Sequence, residues 1–138
     1  MKLSGWVGLW IISSALAAPA YADPCEAKLP RKVGVVFSGT VRYVGDGDSL
    51  CVGQTTDPNE WIEVRVQDFR APELGKPTGK EARAILVGVA LGKPIICTVV
   101  KGDTGRTTSW DRVFGRCLVG GVSVGDLMRA KGAPTGGK

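Results

Sequence analysis

The stretch from Trp61 to Glu73 constrains the fold of this chain more than any other. Glu60 to Gln67 alternates polar and apolar residues as a half-buried strand does, and the pattern breaks at Pro72, whose nitrogen cannot donate to a ladder. Two further strand patterns precede it with no room for a helix between them. Lys32 to Val44 is rich in valine and interrupted only by Ser38-Gly39, which suits a long or bulged strand. Asp46-Gly47-Asp48 is a turn signal, Ser49 to Gly53 resumes as a strand, and Asp57-Pro58-Asn59 turns the chain again. Three strands in succession with tight turns make a meander.

A helix is expected after the proline. Thr78 and Glu81 have the spacing of a capping box, and Ala82, Ile85, Leu86 and Val89 form one apolar stripe, with Lys80 and Arg83 toward solvent and Gly92 as the stop. Pro94 to Val100 and Val113 to Val119 read as the fourth and fifth strands. The polar segment Lys101 to Asp111 between them reads as a long loop anchored by Trp110. After Gly120-Gly121, Ser123 and Asp126 cap a short helix, Val124 to Lys131, and Pro134 to Lys138 reads as a frayed tail. The fold class is α+β, mainly β: a five-stranded OB-fold-like Greek-key barrel with a helix between strands 3 and 4 and a short C-terminal helix.

Residues 1–22 read as a signal peptide: Lys2, an apolar run from Trp6 to Ala18, and Ala20-Tyr21-Ala22 as a small-x-small cleavage pattern. Residues 23–138 then form a single domain, expected to be secreted or periplasmic and monomeric. The whole chain carries 18 Lys and Arg against 13 Asp and Glu, and it keeps a basic excess after loss of Lys2. That balance suits a polyanionic partner. All four cysteines, Cys25, Cys51, Cys97 and Cys117, follow residue 22, and an even number in an oxidising compartment reads as disulfides rather than zinc, there being no CxxC pair. Three pairings are possible. Cys97 with Cys117, in two apolar runs that could be neighbouring strands, is preferred, leaving Cys25 for Cys51.

The chain contains no histidine. Imidazole bases, imidazole metal ligands and Ser-His-Asp or Cys-His catalysis are thereby excluded. Carboxylates, arginines and an oxygen-bound cation remain, and these are the parts needed for attack of water on a phosphodiester.

Asp46-Gly47-Asp48 in the first turn, Arg65 on the third strand, Pro72-Glu73 eight residues after that arginine, and Phe114-Gly115-Arg116 entering the fifth strand stand in one order. In that order, over about Ser38 to Ala133, the chain resembles the staphylococcal nuclease, or thermonuclease, family of secreted calcium-dependent nucleases. The resemblance implies catalytic roles for Arg65, Glu73 and Arg116, with Asp48 and the main-chain carbonyl of Ala71 as ligands for Ca2+. It implies hydrolysis of DNA and RNA, single-stranded or unstructured, leaving 3′-phosphates. The sequence departs from the family at Arg70, where a metal-binding aspartate is usual. Arg70 could swing outward; Asp68 or Asp46 could supply the missing charge; or metal and activity could be lost. The alternative reading is therefore an inactive OB-type module that only binds nucleic acid, with Lys101, Arg106 and Arg112 also contacting phosphates and Trp110 offering a stacking face.

Overall fold

The computed structural model describes residues 23–136 together with Gly5 and Gly8, so the expected signal peptide lies, but for those two glycines, outside the described residues. The described chain is a closed, mainly β barrel with two helices. Strands β1 (Val36–Asp46), β2 (Ser49–Gly53) and β3 (Ile62–Val66) form the antiparallel meander that the alternation implies. Helix α1 (Gly79–Ala90) follows, then β4 (Pro94–Val99), which returns to pair with β1. Strand β6 (Arg112–Val119) pairs antiparallel with β4 and parallel with β3, and the β3–β6 pairing of Val64, Arg65 and Val66 with Val113, Phe114 and Gly115 closes the barrel. Two short strands went unread in the sequence: β5 (Thr108–Ser109) and β7 (Val122–Ser123), each hairpinned to β6. Helix α2 (Val124–Ala130) ends the fold.

The core is aliphatic. Leu50, Val52, Val64, Val66, Ile95, Val99 and Val113 point inward from the strands, and Leu86 of α1 with Val124 and Met128 of α2 cover the opening. Bulges displace β1 between Val41 and Tyr43 and between Val44 and Asp46, later than the Ser38-Gly39 interruption suggested. They bend β1 sharply enough to serve both β2 and β4.

Both helix starts have the composition of a cap, and only that of α2 is capped by its side chain. Ser123 accepts from the Asp126 amide at 3.1 Å, as expected. Thr78 instead sits at φ 67 with no side-chain cap bond, because the Glu73–Thr78 segment reaches the helix through a tight turn in which Gly79 N donates to Lys76 O at 3.2 Å. Gly79 lies so close to Glu73 that a Cβ there would fall 2.0 Å from the Glu73 carbonyl. That approach draws the Pro72-Glu73 loop onto the helix start. Arg83, expected toward solvent, donates to the Val44 carbonyl at 3.1 Å and ties α1 to β1.

The disulfides are Cys25–Cys51 and Cys97–Cys117. Cys97 and Cys117 face each other across β4 and β6. Cys25 holds an N-terminal strap on the barrel, where Glu26 N donates to Pro58 O and Ala27 N to Trp61 O, each at 3.0 Å. Among the described residues no helix is long and apolar enough to cross a membrane.

Candidate active site

The Asp46-Gly47-Asp48 turn, the end of β3, the Arg70–Glu73 loop and the start of β6 converge on a cavity of about 720 Å³. Gly47 makes the convergence possible, since a Cβ there would lie 2.5 Å from Ala71 Cβ and 2.7 Å from Ala82 Cβ. The turn can therefore press against the proline loop and α1. Asp48, 5% exposed, is the hinge of the site. Its Oδ2 accepts from Ala71 N at 2.8 Å and from Arg65 Nη2 at 3.0 Å, joining three segments through one oxygen. Arg65 is fixed further by donating from Nη1 to Phe69 O at 3.0 Å and to Val66 O. A guanidinium held on this many acceptors is preorganised and loses little freedom when it meets an anion.

Asp46 turns its Oδ1 back onto Asp48 N, at 3.1 Å, and Ser49 Oγ, at 2.8 Å. Burial pushes the Asp48 carboxyl up to about 7, helped by the charge of Asp46 and opposed by Arg65. For Asp46 burial also acts upward, but hydrogen bonds from the side chain and backbone of Asp48 and from Ser49, with the charge of Arg112, hold it below the usual range. Two carboxyl groups in contact titrate as a pair, and here the first proton leaves Asp46.

Glu73 stands exposed on the cavity wall, its loop pinned by Lys76 N donating to Glu73 O at 2.9 Å. Of the residues singled out in the sequence, Asp48, Arg65, Ala71 and Glu73 line this cavity together. Arg116 does not. It is exposed on the outer face of β6, opposite Thr98 of β4, and Arg112 occupies the cavity instead. Both arginines share the outward parity of β6 and lie four residues apart, about 13 Å at about 3.3 Å per residue. The sequence gives the parity but not which end of the strand meets Asp46. The sequence reading has Arg112 only as one phosphate contact of the alternative, binding-only module; the signal that would place it in this cavity is the Trp110-Asp111 turn, had β5 been recognised and the segment read as a hairpin.

Arg70 lies at the rim and pairs with the Asp103 carboxylate across the Lys101–Asp111 segment. Of the two acids that could replace the missing charge, Asp46 touches Asp48, whereas Asp68 packs against Gly125 of α2, where a Cβ would sit 2.6 Å from its carboxyl. The tail is not frayed as far as Gly136: Gly136 N donates to Arg70 O at 2.9 Å, and Gly136 packs on the Ala71 carbonyl, where a Cβ would be 2.5 Å from the oxygen.

The donor set can be tested for calcium, which takes six to eight oxygens. Asp48 Oδ2 and Asp46 Oδ1 each already accept two hydrogen bonds, the Ala71 carbonyl is approached by Gly136, and no three acidic side chains among the described residues are grouped to share an ion. The residues as placed do not fit the calcium shell that the resemblance implies. A fixed cation at the position of Arg70 explains part of this, since two like unit charges about 5 Å apart repel by about 3 kcal/mol at an effective dielectric of about 20. Arg70→Asp should accordingly raise calcium affinity by roughly a hundred-fold or more in a calorimetric titration, since about 3 kcal/mol for even one unit charge pair is about two decades of affinity. Equal affinity in the two proteins would show that Arg70 is not what disfavours the ion.

A second acidic group lies behind Arg112. Glu63 on β3 is 4% exposed, and its Oε2 has no hydrogen-bond partner. Burial, with the carboxyl groups of Asp23 and Asp111 against it, raises its pKa to about 9 from 4.5. The folded state thus holds this proton more tightly than the unfolded chain, so the stabilisation is complete below about 4.5 and is lost as pH rises toward about 9. Glu63→Gln should flatten that decline, raising the melting temperature above the wild-type value near pH 9 and leaving it little changed near pH 5. Parallel melting curves for the two proteins would disprove the assignment.

No family model and no curated protein matches the chain.

Proposed function

We propose that the cavity binds and hydrolyses a phosphodiester of single-stranded DNA or RNA. The observation that supports this most is the meeting of Glu73, Arg65 and Arg112, drawn from three separate segments, on one cavity in which four cations, with Arg70 and Lys76, face three carboxyl groups. An anion is the natural occupant. Arg65 and Arg112 would hold two phosphoryl oxygens and neutralise the charge that builds on them. Glu73 would orient the attacking water and take its proton, and Asp48 positions Arg65 through the 3.0 Å ion pair. The domain would work outside the cytoplasm after removal of its leader, a setting with which two disulfides are compatible.

A second reading, phosphate binding without cleavage, is favoured by the pairing of Arg70 with Asp103 at the rim of the site. Cleavage and binding of single-stranded DNA by residues 23–138, measured with added calcium and with a chelator, separate the two. Calcium-dependent cutting would restore the ion that the residue placement disfavours; cutting in chelator would assign the charge work to the arginines; binding alone would leave a recognition module. Arg65→Lys should lower turnover by roughly a hundred-fold or more, because an ammonium cannot keep the bond to Asp48 and also present a planar fork to phosphate. Near-normal turnover in that variant would remove Arg65 from the mechanism.

A further inference from the structure

A second cavity, of about 620 Å³, is lined by Glu63, Trp110, Asp111 and Arg112, and nothing above gives it an occupant. Trp110 and Asp111 are the two residues of the turn joining β5 to β6, with Ser109 paired to Arg112 across it. Trp110 is 92% exposed and adopts φ 57, the left-handed region that glycine favours. It therefore anchors nothing, contrary to its reading from sequence. A bulky aromatic residue kept in an unfavourable backbone state and in water gains nothing from packing. Beside it, the buried Glu63 carboxyl lines the cavity with one oxygen unpartnered, and Asp111 adds a second carboxyl group. An indole face next to carboxyl acceptors matches an aromatic ring that bears hydrogen-bond donors on its edge. Arg112 lines this cavity and the phosphate cavity alike, so whatever fills the second lies directly beside the phosphate in the first.

We infer that this second cavity is a nucleobase pocket, in which Trp110 stacks on an unpaired base, Asp111 accepts from its amino group and Glu63 donates to the ring nitrogen beside that group, selecting cytosine, adenine or guanine over thymine and uracil. The inference rests on the phosphodiester reading and adds base selectivity to it. Because Glu63 keeps its proton near neutrality, one carboxyl there can donate to a ring nitrogen while Asp111 accepts from the amino group.

The test is fluorescence anisotropy of end-labelled oligo(dC) and oligo(dT) with the oxidised protein near pH 8, where oligo(dC) stays unstructured. Oligo(dC) should bind more tightly, by roughly ten-fold for one well-made edge contact. Trp110→Ala should weaken both oligomers by roughly five- to a hundred-fold, the span of losses when a stacking side chain is removed. Asp111→Asn, on an exposed turn where folding is not at stake, should bring the ratio toward one. Equal wild-type affinities, or a ratio untouched by both substitutions, would overturn the pocket and leave the phosphodiester reading standing, provided that Arg112→Ala still weakens binding. Absence of binding to either oligomer would overturn both.

Discussion

Glu73→Gln should abolish cleavage while leaving DNA binding within about two-fold of the wild type, a fall in turnover of roughly a hundred- to ten-thousand-fold being the usual contribution of a positioned base. Glu73 is exposed, and its backbone, not its carboxylate, holds the loop, through Lys76 N and the close approach of Gly79. Loss of the charge should therefore disturb neither fold nor cavity. The neutral amide removes one of three carboxyl groups facing four cations, so affinity for a polyanion should hold or rise slightly. Turnover measured on single-stranded DNA beside a binding titration checks both halves. Retained cleavage would move the proton acceptor elsewhere, and Asp48, whose carboxyl already titrates near 7, would be next to examine.

Reduction of the disulfides should cost the domain most of its stability. Each closes a loop of similar length, with sequence separations of 26 and 20, and the chain-entropy relation gives about 3 kcal/mol for either. A total of about 6 kcal/mol is comparable with the whole stability of a small domain, commonly about 5 to 15 kcal/mol. The two losses should nevertheless differ in kind. Without Cys97–Cys117, β4 and β6 lose a cross-link in the middle of a paired ladder whose other contacts remain. Without Cys25–Cys51, the strap carrying Asp23 is released and the cover over Glu63 goes with it. Single-pair serine variants, melted near pH 5 and near pH 9, should show that the Cys25–Cys51 variant alone loses the pH dependence attributed to Glu63. A reduced protein that melts with the oxidised one would overturn both statements.

The barrel was legible because its signals are local: alternation in three strands, the apolar stripe of α1 and the Ser123 cap each need only a few residues. Asp48, Arg65, Ala71 and Glu73 come together in the sequence through the family resemblance; turn chemistry, strand alternation and the proline place Asp48, Arg65 and Glu73 on a turn, a strand and a loop, and nothing local singles out Ala71. The errors share one cause, which is that closure brings distant segments together. Arg112 and Arg116 have the same parity, and only the positions of the β5 hairpin and of Asp46 distinguish them. Thr78 has the composition of a cap, but its backbone is committed to the turn before Gly79. Trp110 resembles an anchor by residue type, and nothing in the sequence reveals a turn that holds it in water. The pairing of Arg70 with Asp103, 33 residues away, lies equally beyond a local reading.

The docking of Gly136 on the Arg70 and Ala71 carbonyls has a practical side. The described chain ends at the mouth of the cavity that Asp48, Arg65 and Glu73 line, with Thr135 and Gly136 forming part of its wall. If that cavity takes a nucleic-acid strand as proposed, a carboxy-terminal affinity tag attached beyond Gly136 would act as a tethered competitor, and a polyanionic one most of all. At the other end, Asp23 lies against Glu63, beside the neighbouring cavity that Arg112 shares. Asp23 and Gly136, at the two limits of the described segment, thus border one surface: if the cavities act as proposed, a preparation trimmed unevenly beside either residue would pass for a pure protein on a gel and behave as a mixture in a binding assay.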